Sequence, residues 1–373
     1  MKSLVTYLLY IPRWSLYVLF EVFKAIRPVK NKVLLIYQYA WQDFELLEVE
    51  LKKSYPKTEA VTINDRKKSP IKYVFNQLKI LWHMADSKGV LVDSFIAPVG
   101  LVRQRKDTVV VCVDHALGVV KKYGYVALNT AEGTTSLEAK ITRLHQGIDY
   151  NCVGGKASIE YISSAKKIDK EKVLNIGLPR ADYLQNKTIQ RQAKRDILKK
   201  YPQLNNGKPI VLYSPTYRKN GSNAALDLIK THDSASNNLV LTSHPLAKPL
   251  KNIPDGVIYA GNEDNFLDWI ITMDVLITDY SSANLEAALL KKPVIFYLHD
   301  LDEYSKNRGL FFKFKDPDFP LPGPIINDPE KIWQFLKKPK YDKQKQNKFR
   351  RLYANPASKN CTKAIINLLK LPQ

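Results

Sequence analysis

Cysteine is scarce in this sequence: three in 373 residues, Cys112, Cys152 and Cys361, with no C-x-x-C pair. That spacing argues against a disulfide framework and a cysteine zinc site, and it suits a reducing compartment. No His/Cys/Asp cluster has zinc spacing either. G-x-G-x-x-G and G-x-x-x-x-G-K-[ST] are both missing, so the chain carries neither the dinucleotide fingerprint nor a P-loop. No uncharged apolar run reaches the roughly 18–20 residues that span a bilayer. Acidic residues are outnumbered, with 36 Asp and Glu against 58 Lys and Arg and a net charge of +22. The excess favours an anionic partner: nucleic acid, an acidic membrane surface or a phosphorylated substrate. A hydrophobic content of 45% and a charged content of 25% are ordinary for a globular chain of about two domains.

The segment from Met1 to Glu21 is apolar and aromatic, but Pro12 and Arg13 interrupt it. No small-residue cleavage site follows, which argues against a removable signal peptide. Its Tyr, Trp and Leu side chains stand beside Lys2, Arg13, Lys24, Arg27, Lys30 and Lys32. Rings settle at headgroup level and cations are drawn to anionic lipid, so residues 1–30 are expected to form an amphipathic, membrane-associating segment. A helix buried against the first domain is the alternative.

Short β-branched runs then recur between helical patterns: Val33–Tyr37, Ala60–Ile63, Gly89–Asp93 and Thr108–Val113, and again Pro209–Tyr213, Leu239–Thr242, Val275–Thr278 and Val294–Tyr297. Near-continuous apolar runs suit parallel strands covered on both faces. Strand and helix alternating twice over predict an α/β chain of two doubly wound Rossmann-like domains. They are placed at 31–185 and 205–340, with a polar boundary between Asp182 and Lys208 that contains a helix at Ile189 to Lys200. A basic helical segment closes the chain at 341–373.

Ligands of open parallel sheets bind beyond the carboxyl ends of the strands, so the residues just after each strand are the candidates. After Val113 comes Asp114-His115-Ala116-Leu117-Gly118, where an imidazole near neutral pKa can take a proton from a hydroxyl. A helix-capping Asp with a structural His reads the same. After Leu212 a polar turn carries Thr216 and Arg218, whose guanidinium matches phosphate oxygens unless it is a solvated surface group. After Leu241 comes Thr242-Ser243-His244-Pro245, a second strand-end histidine. After Ile277 come Thr278-Asp279-Tyr280-Ser281-Ser282 and a helix with Glu286 one turn in. Free N–H groups and two hydroxyls there suit a phosphate, and Glu286 suits a ribose or polyol. The same residues also read as a plain cap and a helix-dipole carboxylate. Asp300-Leu301-Asp302 and Asp316-Pro317-Asp318 read better as turns than as metal pairs.

In order along the chain stand Asp114-His115-x-x-Gly118, Gly177-Leu178-Pro179-Arg180-x-Asp182, Tyr213-x-Pro215-Thr216-x-Arg218, His244-Pro245, Thr278-Asp279-Tyr280-Ser281-Ser282 and Phe296-Tyr297-x-x-Asp300-x-x-x-Tyr304. Together they resemble the CDP-glycerol glycerophosphotransferase family of wall teichoic acid synthesis, from about Val33 to about Pro324. The length is most similar to the short primase-type members. The resemblance implies a glycosyltransferase-B-like fold with the site in the cleft, no cofactor and no metal required at the phosphate. It implies transfer of glycerol phosphate from CDP-glycerol to a hydroxyl of an undecaprenyl-diphosphate-linked saccharide, releasing CMP. The chain would then be peripheral on the cytoplasmic face of the cell membrane, with no nucleic acid partner.

On this resemblance His115 is the general base and His244 the second histidine, near the donor phosphates. Arg180, Thr216, Arg218, Thr278, Asp279, Ser281, Ser282 and Glu286 match substrate-binding positions. The family pattern has His-Gly adjacent with Trp just before; here the string is Val-Asp-His-Ala-Leu-Gly. Transfer of this kind is mostly positioning and charge stabilisation, and groups from both halves would be assembled by closure. CDP-ribitol as donor, a polymer-extending reaction and a nucleotide-sugar glycosyltransferase are the alternatives within reach. A basic nucleic-acid module is disfavoured, because the basic residues are spread along the chain and no recognition motif is present.

Overall fold

The computed structural model describes residues 10–65, 69–216, 218, 225–242, 253–261 and 264–372. The chain divides into two compact units, one formed by Met1–Asp182, Asn307–Gly309 and Pro356–Gln373, the other by Tyr183–Lys306 and Leu310–Asn355.

The first unit is built on six parallel strands, β1 (Lys30–Tyr37), β2 (Glu59–Asn64), β3 (Ser87–Val92), β4 (Val109–Cys112), β5 (Tyr150–Cys152) and β6 (Val173–Leu174). Their order is β2-β1-β3-β4-β5-β6. Five consecutive residues of β1, Lys32 to Ile36, are buried because helices cover both faces of the sheet. Helix Pro70–Met84 starts on the Ser69 cap, which accepts from the Lys72 N–H, with proline in its first turn. It lays Ile80, Leu81 and Met84 against Leu34, Ile36, Val90, Val92 and Cys112. The chain leaves β1 in one direction to β2 and returns on its other side at β3. The topological switch point therefore lies at the ends of β1 and β3.

Helix Tyr10–Ile26 shares this core through Phe20, which is buried. Its end is held by Arg27, paired with buried Asp86, and by Arg105, which donates to the Arg27 carbonyl at 2.8 Å and the Ala85 carbonyl at 2.9 Å. Its other face leaves Trp14 75% and Ile26 63% exposed, with Val18 and Val22 between them. The helix is thus docked on one side and bare on the other. Among the described residues no helix is long and apolar enough to cross a membrane.

The second unit has five parallel strands, β7 (Ile210–Ser214), β8 (Asn238–Thr242), β9 (Val257–Ala260), β10 (Val275–Thr278) and β11 (Val294–Phe296), in the order β11-β10-β7-β8-β9. Val211, Tyr213, Leu239, Leu241, Ile277 and Ile295 pack on Leu228, Ile332 and Trp333 from flanking helices. Thr278 of β10 lies opposite Ser214 of β7, and the switch point falls between these two strands.

Strands β5, β6 and β9 are additional to the eight apolar runs of the sequence. The stretch 341–373, one basic segment by composition, divides between the units: helix Lys343–Tyr353 lies in the second and helix Cys361–Asn367 in the first. The returning helix is capped by Asp182, which accepts from the Cys361 and Thr362 N–H groups at 2.9 and 2.7 Å and from the Thr362 hydroxyl at 2.6 Å. A side chain at Gly177, whose φ is +87°, would meet Cys361 and Pro356, so this motif glycine makes room for the returning chain.

Candidate active site

In the first unit the sheet ladder continues one residue past β4, with the Val113 N–H donating to the Val92 carbonyl at 2.7 Å. Asp114 then turns into the left-handed region at φ +60°, and His115 follows, exposed. The turn is fixed from below. Lys166, at the end of helix Ser158–Lys166, donates to both Asp114 carboxylate oxygens at 2.9 and 3.0 Å and to Asn151 Oδ1 at 2.6 Å. Asn151 of β5 returns a hydrogen bond to Asp114 Oδ2 at 2.9 Å. Burial alone would raise the Asp114 carboxyl, but the Lys166 ammonium, His115 and the Asn151 bond outweigh it and hold it below its ordinary value. Desolvation lowers the His115 imidazole; Asp114 and Asp93 oppose this and the charge of Arg180 adds to it. The net direction is downward, which favours the neutral imidazole, the form that accepts a proton.

Beside His115 lies the switch point. Buried Asp93, one residue past β3, accepts from the N–H groups of Gln38, Tyr39 and Ala40, the last two at 2.6 and 2.8 Å. This fixes the turn that displays Tyr39, 55% exposed, whose ring centroid is 5.5 Å from that of His115. Arg180 reaches the same region but is held by buried Asp43, through its N–H at 2.7 Å and its Nε at 2.9 Å.

In the second unit the predicted residues gather at the β7/β10 switch point. The Thr278 hydroxyl, fully buried, donates to the Ser214 carbonyl at 2.7 Å and ties the two strand ends. Asp279, 1% exposed, accepts the Thr216 N–H at 2.9 Å and Arg218 Nη2 at 2.9 Å. Arg218 also forks onto Asp300 at 2.7 and 3.1 Å and donates to the Thr216 carbonyl at 3.0 Å. Its guanidinium lies 4.5 Å from the ring centre of Tyr304, which stacks on Tyr280 at 4.1 Å. The Tyr280 hydroxyl donates to Asp300 at 2.9 Å. Burial would raise the Asp300 carboxyl; the Arg218 bond and charge hold it below its ordinary value instead.

Four hydrogen bonds thus engage the Arg218 guanidinium within its own unit, and its side chain is 9% exposed. Ser281 and Ser282 are half-buried at the start of helix Ala283–Leu289, and the Ser282 side chain makes no cap bond. The Thr216 hydroxyl oxygen has no hydrogen-bond partner among the described residues. Glu286, one turn into the same helix, is 1% exposed. His244 and Pro245 lie outside the described residues. Of the D-x-D pairs, Asp300 and Asp302 are each paired with a cation, Arg218 and Lys315, and Asp316 accepts the Asp318 N–H at 2.9 Å in a turn. Among the described residues no group of three His, Cys, Asp or Glu is arranged to hold a metal ion.

Sequence reasoning missed Asp93, Asn151 and Lys166. Lys166 stands in Ala165-Lys166-Lys167 at a helix end and reads as a surface lysine; nothing local marks it as 1% exposed.

Comparison with known proteins gives the family and the fold. A teichoic acid ribitol-phosphate primase of Bacillus spizizenii is 31% identical over 266 residues, covering 69% of this chain and 67% of that protein. A teichoic acid glycerol-phosphate primase of Bacillus subtilis is 26% identical over 335 residues, covering 85% and 82%. The solved structure of the wall teichoic acid polymerase TagF superimposes with a TM-score of 0.72 at 20% identity, over 92% of this chain and 89% of that one. That likeness and the two parallel sheets give a fold of the glycosyltransferase-B type. The profile of the CDP-glycerol:poly(glycerophosphate) glycerophosphotransferases matches residues 19–370, and the chain belongs to that family.

Proposed function

We propose that this protein transfers glycerol phosphate from CDP-glycerol to a hydroxyl of an undecaprenyl-diphosphate-linked saccharide in teichoic acid synthesis. The observation that carries the reading is His115, an exposed imidazole on a strand end held by the Asp114–Lys166–Asn151 bonds, in a chain matched to the family over residues 19–370. The acceptor oxygen attacks the alditol-bearing phosphorus as His115 takes its proton; the bond to CMP breaks and CMP leaves with the electron pair. In this reading the first unit handles the acceptor, with Tyr39 and Arg180 beside the base. The second unit handles the donor. Its Ser281 and Ser282 hydroxyls, Thr216, and His244 by its place in the family motif meet the diphosphate, while Glu286 stays buried one turn into the same helix and takes the ribose side only by its place in the family motif. Arg218, Asp279 and Thr278 give the donor loop its shape.

A second reading, ribitol phosphate from CDP-ribitol, is favoured by one observation: the ribitol-phosphate primase is 31% identical and the glycerol-phosphate primase 26%. Incubating the purified protein with lipid-linked disaccharide and each CDP-alditol separates the two by product mass. The expected product gains one alditol phosphate for each CMP released. Absence of CMP with both donors, or transfer from a UDP-sugar instead, overturns the proposal.

The lipid acceptor calls for attachment at the cytoplasmic face of the membrane, and two helices of the first unit suit it. Besides the bare face of Tyr10–Ile26, helix Pro70–Met84 exposes Ile71 at 71%, Val74 at 58% and Phe75 at 67%, with Lys72 and Lys79 and no acidic residue. Apolar side chains among cations seat at the headgroup layer of an anionic bilayer. Co-flotation with anionic vesicles is expected and should drop with Ile71→Ser and Phe75→Ser together; equal flotation with neutral vesicles, or none at all, removes this part.

A further inference from the structure

Asp114 stands directly before His115, where the family pattern carries an uncharged ring, and it is the charged member of a turn that every other observation ties to the histidine. We infer that Lys166 is a positioning residue for His115: by pairing with Asp114 it locks the left-handed turn that presents the imidazole and cancels a negative charge at its side. The inference deepens the proposed transfer reaction and rests on it only for its kinetic consequence.

The geometry is a closed set. Lys166 has three N–H groups, and they meet Asp114 at 2.9 and 3.0 Å, Asn151 at 2.6 Å and Cys112 Sγ at 3.2 Å. Asn151 donates back to Asp114 and to the Cys152 carbonyl at 3.1 Å. Three elements are thereby fastened together: the end of β4, the neighbouring strand β5 and the end of helix Ser158–Lys166. Lys166 is 1% exposed, so its charge serves the interior and not a ligand. Asp114 sits in the left-handed region at φ +60°, which side chains adopt at a cost, and the bonds to its carboxylate hold it there.

The charge follows from the same contacts. His115 is faced by Asp114, Asp93 and Arg180, and by the ring of Tyr39. Asp114 is faced by Lys166, Asn151 and His115. Lys166 further faces Cys112 and Tyr123, and His145 feels both members of the pair. Deleting the ammonium leaves an uncompensated anion beside the imidazole and favours imidazolium; deleting the carboxylate leaves a cation and does the reverse. A lysine that only packs would change stability in both cases without moving the histidine in opposite directions.

The test is the NMR titration of His115 in the full-length protein with ring-labelled histidine, its signal among six assigned by loss in His115→Gln. Lys166→Met is expected to raise the midpoint by about one pH unit and Asp114→Asn to lower it by a similar amount. Lys166→Gln keeps a donor for Asp114 and nearly the same volume, and carries the test if Lys166→Met does not fold; it should also raise the midpoint. Equal midpoints in parent, Lys166→Gln and Asp114→Asn, or shifts of one sign, overturn the inference. The acid limb of CMP release should follow the midpoint. A midpoint that moves while the limb stays fixed upholds the pairing and overturns His115 as the base.

Discussion

At the end of β4, Asp114 is matched one to one by Lys166, with neutral Asn151 completing the set. At the ends of β7, β10 and β11, Arg218 faces two carboxylates, Asp279 and Asp300, and Tyr280 adds a hydroxyl to the second. The first cluster is neutral as a group; the second keeps a negative charge. On the proposed reading a cluster of that sign would repel a diphosphate, and the Ser281 and Ser282 hydroxyls are the groups expected to meet one. In the first unit, too, buried charges hold the strand end, which carries the exposed His115. In both places the charged residues bond to one another at the strand end.

The largest effect should come from breaking the second cluster. Arg218→Ala leaves Asp279 buried without its cation, and the second unit should lose about 3–5 kcal/mol in urea unfolding followed by the fluorescence of Trp269 and Trp333. A loss below ~1 kcal/mol, accompanied by a large loss of donor affinity, would make Arg218 a ligand group and end the comparison. Next in size, Ser281→Ala with Ser282→Ala should weaken CDP-alditol binding by about tenfold in calorimetry while leaving stability within about 0.5 kcal/mol. Unchanged affinity would remove the outward-facing role of the hydroxyls. Smaller again, Thr278→Val removes the bond to the Ser214 carbonyl and should cost about 1 kcal/mol of stability, with little direct effect on the donor.

Acid stability sharpens the same contrast. Asp114 and Asp300 have folded pKa values held below the ordinary carboxylate value. Their contribution is therefore fully present above the unfolded pKa of about 3.9 and is lost as pH falls through the lower folded values. Thermal unfolding should show a midpoint that declines below about pH 4, with a shallower decline in Asp300→Asn; an identical decline would show that the second cluster stores no such stability.

The eight apolar runs were legible because a strand buried on both faces must be apolar at nearly every position. Strands β5 and β6 were not, being three and two residues long, and β5 carries the polar Asn151 that serves the Asp114 turn. β9 is an edge strand that buries only alternate residues. At the sites, motif residues were legible as a set while their division of labour was not. Arg180 reads as a ligand group, and its bonds to Asp43 are invisible in the sequence; Asp182 reads as part of the same motif and accepts the N–H groups at the start of a helix 179 residues further on, at Cys361. Such assignments depend on partners brought from far along the chain, and Lys166 is the clearest case.

Single-turnover release of CMP by His115→Ala, with the donor dissociation constant measured in parallel, tests the account most directly. The account predicts release slowed by about 10²–10⁴-fold with donor affinity within twofold of the parent. Release at the parental rate, or a loss that lies wholly in donor affinity, would contradict it.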